Sequence, residues 1–435
     1  MSAVGRIVVA GTGALTTILV ARLLGPDGAG GYALAQTLIL LLILLTTLGV
    51  EHGMTYYVSN GRWGPLSAYR SAQLVALAAG VVGLALGVGA RLAVPAAFGE
   101  LSVADTAVAA FALPFALSWF YFSYVALAID RYEAYAVPPP LQSTLALVFV
   151  AGLAVAAGLE GAIAGFTAAH VVTAIVFLVL GRRTIARAGR PEPTPPPHQL
   201  RHAIRFGVKG YAANALQFLN NRIDLFVLAA AASADEVGQY SVAVAVTSVM
   251  WLLPQALNDV LFPRIAALTA AGQDARATLT IVETKTLRHS VLVCVVGSAA
   301  LAIALLALVV PVYGADFRPA IELGLIMLPG VALLGVSGTL LATFVGRGHP
   351  GYSLAITAIV TPVTLLLYAL LIPAEHARGA ALASSISYAV TFVLAALVYR
   401  RATGAAVLPR LLPTRSELAD YRALLSTLQA RAGRV

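Results

Sequence analysis

Apolar residues run along this chain in stretches too long for a soluble core, and the polar residues that interrupt them gather into turns. A helix rises about 1.5 Å per residue, so about 20 apolar residues cross the hydrocarbon of a bilayer. On that criterion the pattern predicts twelve spans. Six lie at roughly 5–23, 31–59, 71–90, 105–129, 140–157 and 161–181, and six at roughly 206–232, 240–266, 287–312, 320–345, 351–372 and 378–400. The predicted organisation is an N-terminal six-helix lobe over 1–181, a basic proline-rich linker over 182–205, a C-terminal six-helix lobe over 206–400 and a tail over 401–435.

One predicted span departs from the pattern. Tyr211–Ala232, YAANALQFLNNRIDLFVLAAAA, is long enough to cross a bilayer but carries Asn214, Gln217, Asn220, Asn221, Arg222 and Asp224. At about 100° per residue, Asn214, Gln217, Asn221 and Asp224 fall within an arc of about 80°, and Arg222 lies about 160° from Asp224. A polar stripe of this kind faces other helices or a watery cavity, not lipid. Two readings stand side by side: a seam of interhelical hydrogen bonds, or the lining of a transport path. Thr12, Thr16, Thr17 and Gln36 make the first two spans modestly polar in the same sense.

Composition agrees with the pattern. The 435 residues are 60% hydrophobic and 11% charged, against about 25% charged in soluble domains. Nearly all of the 28 Lys and Arg fall on one side of the predicted topology. Arg22, Arg91, Arg318 and Arg378 are on the other side, and Arg222 lies within a span. Positive loops stay inside, so both termini and the linker are expected in the cytoplasm. The formal charge of +9 is then a topology device and not a nucleic-acid footprint. Arg6 heads the first apolar run, and no small-residue cleavage site follows at a sensible distance, so that run is expected to remain as a membrane helix. The tail segment Ser416–Arg431 groups Leu418, Leu424, Leu425 and Leu428 on one side of a predicted surface helix.

Several chemistries have no signature. The single cysteine, Cys294, excludes an internal disulfide, and no HExxH or Cys/His cluster offers a metal site. The glycines of Leu24–Tyr32, LGPDGAGGY, follow no strand and lack the Lys-Ser or Lys-Thr of a nucleotide loop, so ATP hydrolysis is not expected here. None of the 19 acidic residues forms an Asp-x-Asp pair, and no nucleophile–base arrangement is visible, which weighs against an enzyme.

The two halves resemble each other. Asp27, Gly30, Tyr32 and Ala35 match Asp235, Gly238, Tyr240 and Ala243 at a constant offset of 208, and Glu51 meets Asp259 at the same offset. Arg131 meets Arg347 at 216, and Gly161 and Arg182–Arg183 meet Gly379 and Arg400–Arg401 at 218. Ordered matches across six spans each indicate a duplication. Six is even, so both halves share one orientation. An all-α polytopic membrane fold follows, with two lobes related by a pseudo-two-fold axis along the membrane normal and the substrate path between them.

At these residues a family can be named. ARLLGPDGAGGYALAQ (Ala21–Gln36), LGVEHGMTYYVS (Leu48–Ser59), NNRIDLFVLAAAASADEVGQYSVA (Asn220–Ala243) and LFPRIAAL (Leu261–Leu268) resemble Wzx-type polysaccharide biosynthesis flippases. These belong to the multidrug/oligosaccharidyl-lipid/polysaccharide exporter superfamily. The resemblance implies a multi-pass protein of the bacterial cytoplasmic membrane that moves an undecaprenyl-pyrophosphate-linked oligosaccharide outward by alternating access. It implies membrane lipids, a glycan polymerase and glycosyltransferases as partners, no nucleic acid and no cofactor beyond a coupling H+ or Na+. The peptidoglycan-precursor branch has fourteen spans and an early cationic cluster, which this chain lacks.

A lipid-linked sugar presents an apolar tail, a pyrophosphate and a glycan. Arg222, the only Lys or Arg placed near the middle of a predicted span, is the candidate for the pyrophosphate, against a structural ion pair with another helix. Asp224, Asn214, Gln217 and Asn221 are candidates for sugar hydroxyls or a coupling ion, against structural bonding. Glu51 and Asp259 are candidate gates of the inner mouth, against helix-end groups reaching water. The aromatic run Trp119–Tyr124 and Trp251 offer stacking faces or simple packing. The competing functions are an ion-coupled drug or metabolite antiporter of the same fold, a membrane glycosyltransferase or polymerase, and a channel.

Overall fold

The computed structural model describes residues 3–193, 198–272 and 276–403, without the side chains of 3, 209–215, 218, 253, 256, 259, 260, 262, 276 and 350. The predicted tail helix Ser416–Arg431 and linker residues 194–197 lie outside the described residues. The described chain is helical almost throughout. The helices are α1 (Ala3–Thr47), α2 (Val50–Ser59), α3 (Pro65–Ala93), α4 (Val103–Phe111), α5 (Leu113–Ala128), α6 (Tyr132–Ala136) and α7 (Pro138–Arg187). They continue as α8 (Gln199–Arg222), α9 (Asp224–Ala231), α10 (Ala234–Ser248), α11 (Leu252–Ala270), α12 (Arg276–Tyr313), α13 (Pro319–Gly346) and α14 (Pro350–Thr403). Prolines open α3, α7, α13 and α14, where a missing N–H costs no hydrogen bond. Ser102 and Asp105 cap α4 reciprocally. Among the described residues seven segments are long and apolar enough to cross a membrane, which makes this a multi-pass membrane protein.

Three of the long segments are broken. Gly25 in α1 has φ 67° and ψ −170°, Gly158 in α7 has φ 59° and His376 in α14 has φ 49°. At the second and third breaks the chain doubles back. A Cβ on Gly165 would lie 2.6 Å from the Phe149 carbonyl oxygen, although a straight helix would hold residues that far apart in sequence about 24 Å from each other. A Cβ on Gly161 would overlap the Leu153 carbonyl, and one on Gly379 the Leu371 carbonyl. The two reversals therefore make the same contact at the sequence offset of 218.

The same step recurs where α5 and α13 end. The N–H of Arg131 donates to the Ala126 carbonyl and that of His349 to the Phe344 carbonyl, both at 2.9 Å. Asp130 and Gly348 supply the left-handed residue, with φ 62° and 80°. In backbone geometry Arg131 thus corresponds to His349, not to Arg347 as sequence matching had it. A small insertion ahead of the turn hides the true register from residue identity.

The described chain forms two compact units. The first comprises Met1–Ala245, Leu306–Leu323 and Leu365–Ala381. Its α3 turns a face of small residues, Ala68, Ala72, Ala76, Gly80, Gly83 and Gly87, to the interior. A Cβ on Gly80 would meet Pro114, and one on Gly87 would meet Ala110. Close approach through small residues is how helices associate where lipid removes the hydrophobic drive. The second unit comprises the described residues of Val246–Leu305, Gly324–Thr364 and Leu382–Val435. Its core holds Leu287, Leu340, Phe344, Ile356, Val360, Ala395 and Tyr399.

Candidate functional site

The polar stripe of the predicted seventh span is divided by an irregular turn at Ile223, between α8 and α9. Asp224 is buried. The Tyr240 hydroxyl donates to its carboxylate at 2.5 Å, and the Leu225 N–H donates to the other oxygen at 2.9 Å. Asn220 is buried too, and its backbone carbonyl accepts the Tyr368 hydroxyl at 3.2 Å. Gln217 donates to Asn221 at 3.4 Å, and these two with Arg222 remain half-buried. The side chain of Asn214 lies outside the described residues. The polar residues of this stretch thus fall into two groups: Asp224 and the Asn220 carbonyl fasten α9 and α8 to α10 and α14, while Gln217, Asn221 and Arg222 stay accessible. Tyr32, the repeat mate of Tyr240, bonds Gln36 instead, accepting its amide N–H at 3.1 Å.

The two conserved-offset loops meet. A Cβ on Gly30 would lie 2.6 Å from the Ala234 carbonyl oxygen, and a Cβ on Gly238 would overlap the Pro26 carbonyl. Pro26 and Ala234 stand at the same offset of 208 as the glycines, so the contact is reciprocal, as a two-fold requires. Asp27 and Asp235 flank this seam with their carboxylates in hydrogen-bonding reach. Asp235 is held above the ordinary carboxylate range, first by loss of water and then by the charges of Asp27 and Asp316. Nearby, Arg22 donates to the carbonyls of Pro311 and Val312.

A second glycine contact lies at the opposite end of the predicted second span. A Cβ on Gly49 would lie 2.6 Å from the Gly207 carbonyl carbon, and one on Gly53 would overlap the Ala203 carbonyl. Tyr56 and Phe206 stack beside it, with ring centres 4.5 Å apart. Glu51, between the two glycines in sequence, is 2% exposed. Its Oε2 has no hydrogen-bond partner, and its Oε1 is 3.9 Å from His52 Nδ1. The side chain of its repeat mate Asp259 lies outside the described residues.

Two clusters escape sequence reading. In the second unit Glu283 is buried, and the Arg347 guanidinium donates to both its oxygens at 2.6 and 2.7 Å. Tyr399 adds a third donation at 2.9 Å, tying together α12, α14 and the turn after α13. In the first unit the Trp119 indole N–H donates to His170 Nδ1 at 3.2 Å, so the ring proton sits on Nε2, and the Gln142 amide 3.2 Å away must turn its oxygen toward the ring to accept it. The available signal was a lone His or Glu inside an apolar helix, since such a residue needs a partner.

A membrane-embedded helical bundle with repeat-related contacts can be compared with known proteins. Residues 1–269 match the family described as polysaccharide biosynthesis protein. The chain belongs to that family. The expected membership in a polysaccharide biosynthesis family is borne out. Its fold is similar to that of the lipid II flippase MurJ in an inward-closed conformation, at TM-score 0.71 and 13% identity, covering 92% of this chain and 88% of that one. It is also similar to an inward-facing multidrug resistance MATE family transporter of the MOP superfamily, at TM-score 0.68 and 16% identity, covering 91% and 96%. The outward-facing conformation of such a transporter matches at TM-score 0.60 and 15% identity, covering 92% of each chain. No curated protein matches the sequence.

Proposed function

We propose that this polysaccharide biosynthesis protein is a flippase of the bacterial cytoplasmic membrane that carries an undecaprenyl-pyrophosphate-linked oligosaccharide from the inner to the outer leaflet. The observation that carries the reading is the family match over residues 1–269 on a fold like that of a lipid II flippase. The breaks at Gly25, Gly158 and His376 divide three long segments in two, and α8–α9 and α10–α11 supply two further spans. With the other long helices these are read as the expected twelve spans in two six-helix lobes, 1–181 and 206–400, with the linker and tail in the cytoplasm. The reciprocal Gly30–Gly238 seam and the shared 218-residue step support the pseudo-two-fold.

The half-buried Arg222 is the candidate for the pyrophosphate, because a guanidinium binds two oxygens at once. Gln217 and Asn221 beside it offer amides to a glycan. Asn214 and Asp224 were candidates for the same surface, and in this conformation Asp224 is taken by Tyr240. An apolar groove of about 870 Å³, lined by Val4, Val8, Leu127, Tyr135, Pro140 and Leu141 among others, suits a hydrocarbon tail.

In a strain lacking the protein, labelled lipid-linked glycan is expected to accumulate at the inner face, and plasmid-borne protein is expected to release it. Arg222→Ala at normal expression should restore export poorly. Normal glycan accessibility at the outer face without the gene, with no second flippase present, rejects the reading. The likeness to MATE transporters then favours ion-coupled drug export.

A further inference from the structure

The short helix α2 is set apart from its neighbours in a way the transport reading does not use. It is joined to α1 through Leu48 and Gly49, both left-handed, with φ 48° and 71°. Leu48 has a Cβ, so this conformation is strained and persists only because its surroundings enforce it. At its other end α2 stops at Asn60 and Gly61, the latter again left-handed at φ 73°. A helix bounded by two such breaks can swing without bending its own hydrogen-bond ladder.

Its contact with α8 suits repeated parting. Gly49 and Gly53 bring backbone against the backbone of Gly207 and Ala203. Beside this backbone contact, the Tyr56–Phe206 ring stack is the packing that has to be undone when the face separates. Next to this face Glu51 is buried with one carboxylate oxygen unsatisfied.

The ionisable and charged groups on the elements packed against α2 are few. They are His52 on α2 itself, with Tyr56 and Tyr57; Tyr121 and Tyr124 on α5; Tyr69, Arg70 and Arg91 on α3; and Arg201, His202, Arg205 and Arg222 on α8, where the side chains of Lys209 and Tyr211 are not described. Among the described residues His52, at 3.9 Å, is the ion-pair partner found for Glu51. A buried carboxylate without a close cation or full hydrogen bonding is costly, and the neutral acid is much less so. The packed position of α2 therefore favours the protonated side chain, and an exposed position favours the anion.

We propose that α2 is a hinged inner gate whose packing on α8 is set by a proton carried on Glu51. Uptake of the proton closes α2 onto α8, and its loss to water lets α2 swing out. This rests on reading the chain as an alternating-access transporter, and it assigns a proton-binding role to one side chain of the inner mouth.

The test uses the purified full chain in lipid nanodiscs, with nitroxide labels at Asn60→Cys on the α2 end and Arg201→Cys on α8. Pulsed electron resonance would follow the distance from mildly acidic to mildly alkaline pH. The short distance is expected to dominate at acidic pH and to give way to a longer one as pH rises. Glu51→Gln is expected to hold the short distance at every pH, and Glu51→Asp to keep the pH dependence. An unchanged distance distribution in the parent across the range overturns the proposal, as does an unaltered pH response in Glu51→Gln. If Glu51→Gln does not fold, the parent profile still decides. No glycan is present in this measurement, so the gate and the substrate assignment fail or stand separately.

Discussion

Two glycine contacts lie at opposite ends of the predicted second span, and they are built on different principles. At the Gly30–Gly238 seam both glycines sit in ordinary helix, and the contact is reciprocal across the repeat. At the Gly49–Gly207 contact one glycine is left-handed and follows a strained leucine, and its partner comes from the start of α8 with no repeat symmetry. Charge is treated differently as well. The carboxylates of Asp27 and Asp235 lie at the exposed surface, whereas Glu51 is buried. One contact is a reciprocal helix-to-helix seam with carboxylates exposed at its edge; the other is a backbone contact beside a buried carboxylate, at the proposed hinge. The seam sets matching surfaces against each other, whereas the Gly49 contact depends on a local backbone break at Leu48 and Gly49.

The largest effect is expected at the hinge. Gly49→Ala adds a Cβ both to a left-handed residue and to a surface already in backbone contact, which should destabilise by about 2–4 kcal/mol from strain and overpacking together. Thermal unfolding in detergent would measure it, and a neutral result would remove the distinction between the two contacts. The seam should respond less. Gly238→Ala meets only the overlap with the Pro26 carbonyl and should cost about 1–3 kcal/mol. Gly30→Ala presses on the same surface, so the double variant should fall short of or exceed the sum. Additive losses would mean that the two glycines do not share a contact.

The smallest effect concerns pH. Asp235 is raised above its ordinary value in the folded chain. Its contribution is therefore fully present below the unfolded carboxylate pKa and is lost as pH rises through the raised value. Thermal midpoints of the parent should decline over that window, and Asp235→Asn should flatten the decline. Glu51→Gln should leave this part of the slope in place, which separates the seam from the hinge.

The Glu283 cluster shows why some of the site was out of reach of sequence reading. Arg347 was legible as one more positive charge on the inner side. Its pairing with Glu283, 64 positions away, and the Tyr399 hydroxyl, 116 positions from Glu283, was not. Asp224 makes the same point within one stretch. Its depth and polarity were visible, but the bond from Tyr240 depends on how α10 turns back after Ala232.

The sequence by itself determined that this chain is a membrane protein, where most of its helices run and which family it resembles. The first two properties follow from periodicity, hydropathy and the sidedness of arginine, each of which acts residue by residue against lipid or water; the resemblance rests on the motifs at Ala21–Gln36, Leu48–Ser59, Asn220–Ala243 and Leu261–Leu268. Only the tertiary structure decided which polar groups find partners. It gave Asp224 to Tyr240 and Glu283 to Arg347, left Glu51 buried with an unsatisfied oxygen, and set Gly30 against Gly238. Lipid demands that a buried polar group be satisfied without specifying by what, and that choice is made by side chains brought together from distant parts of the chain.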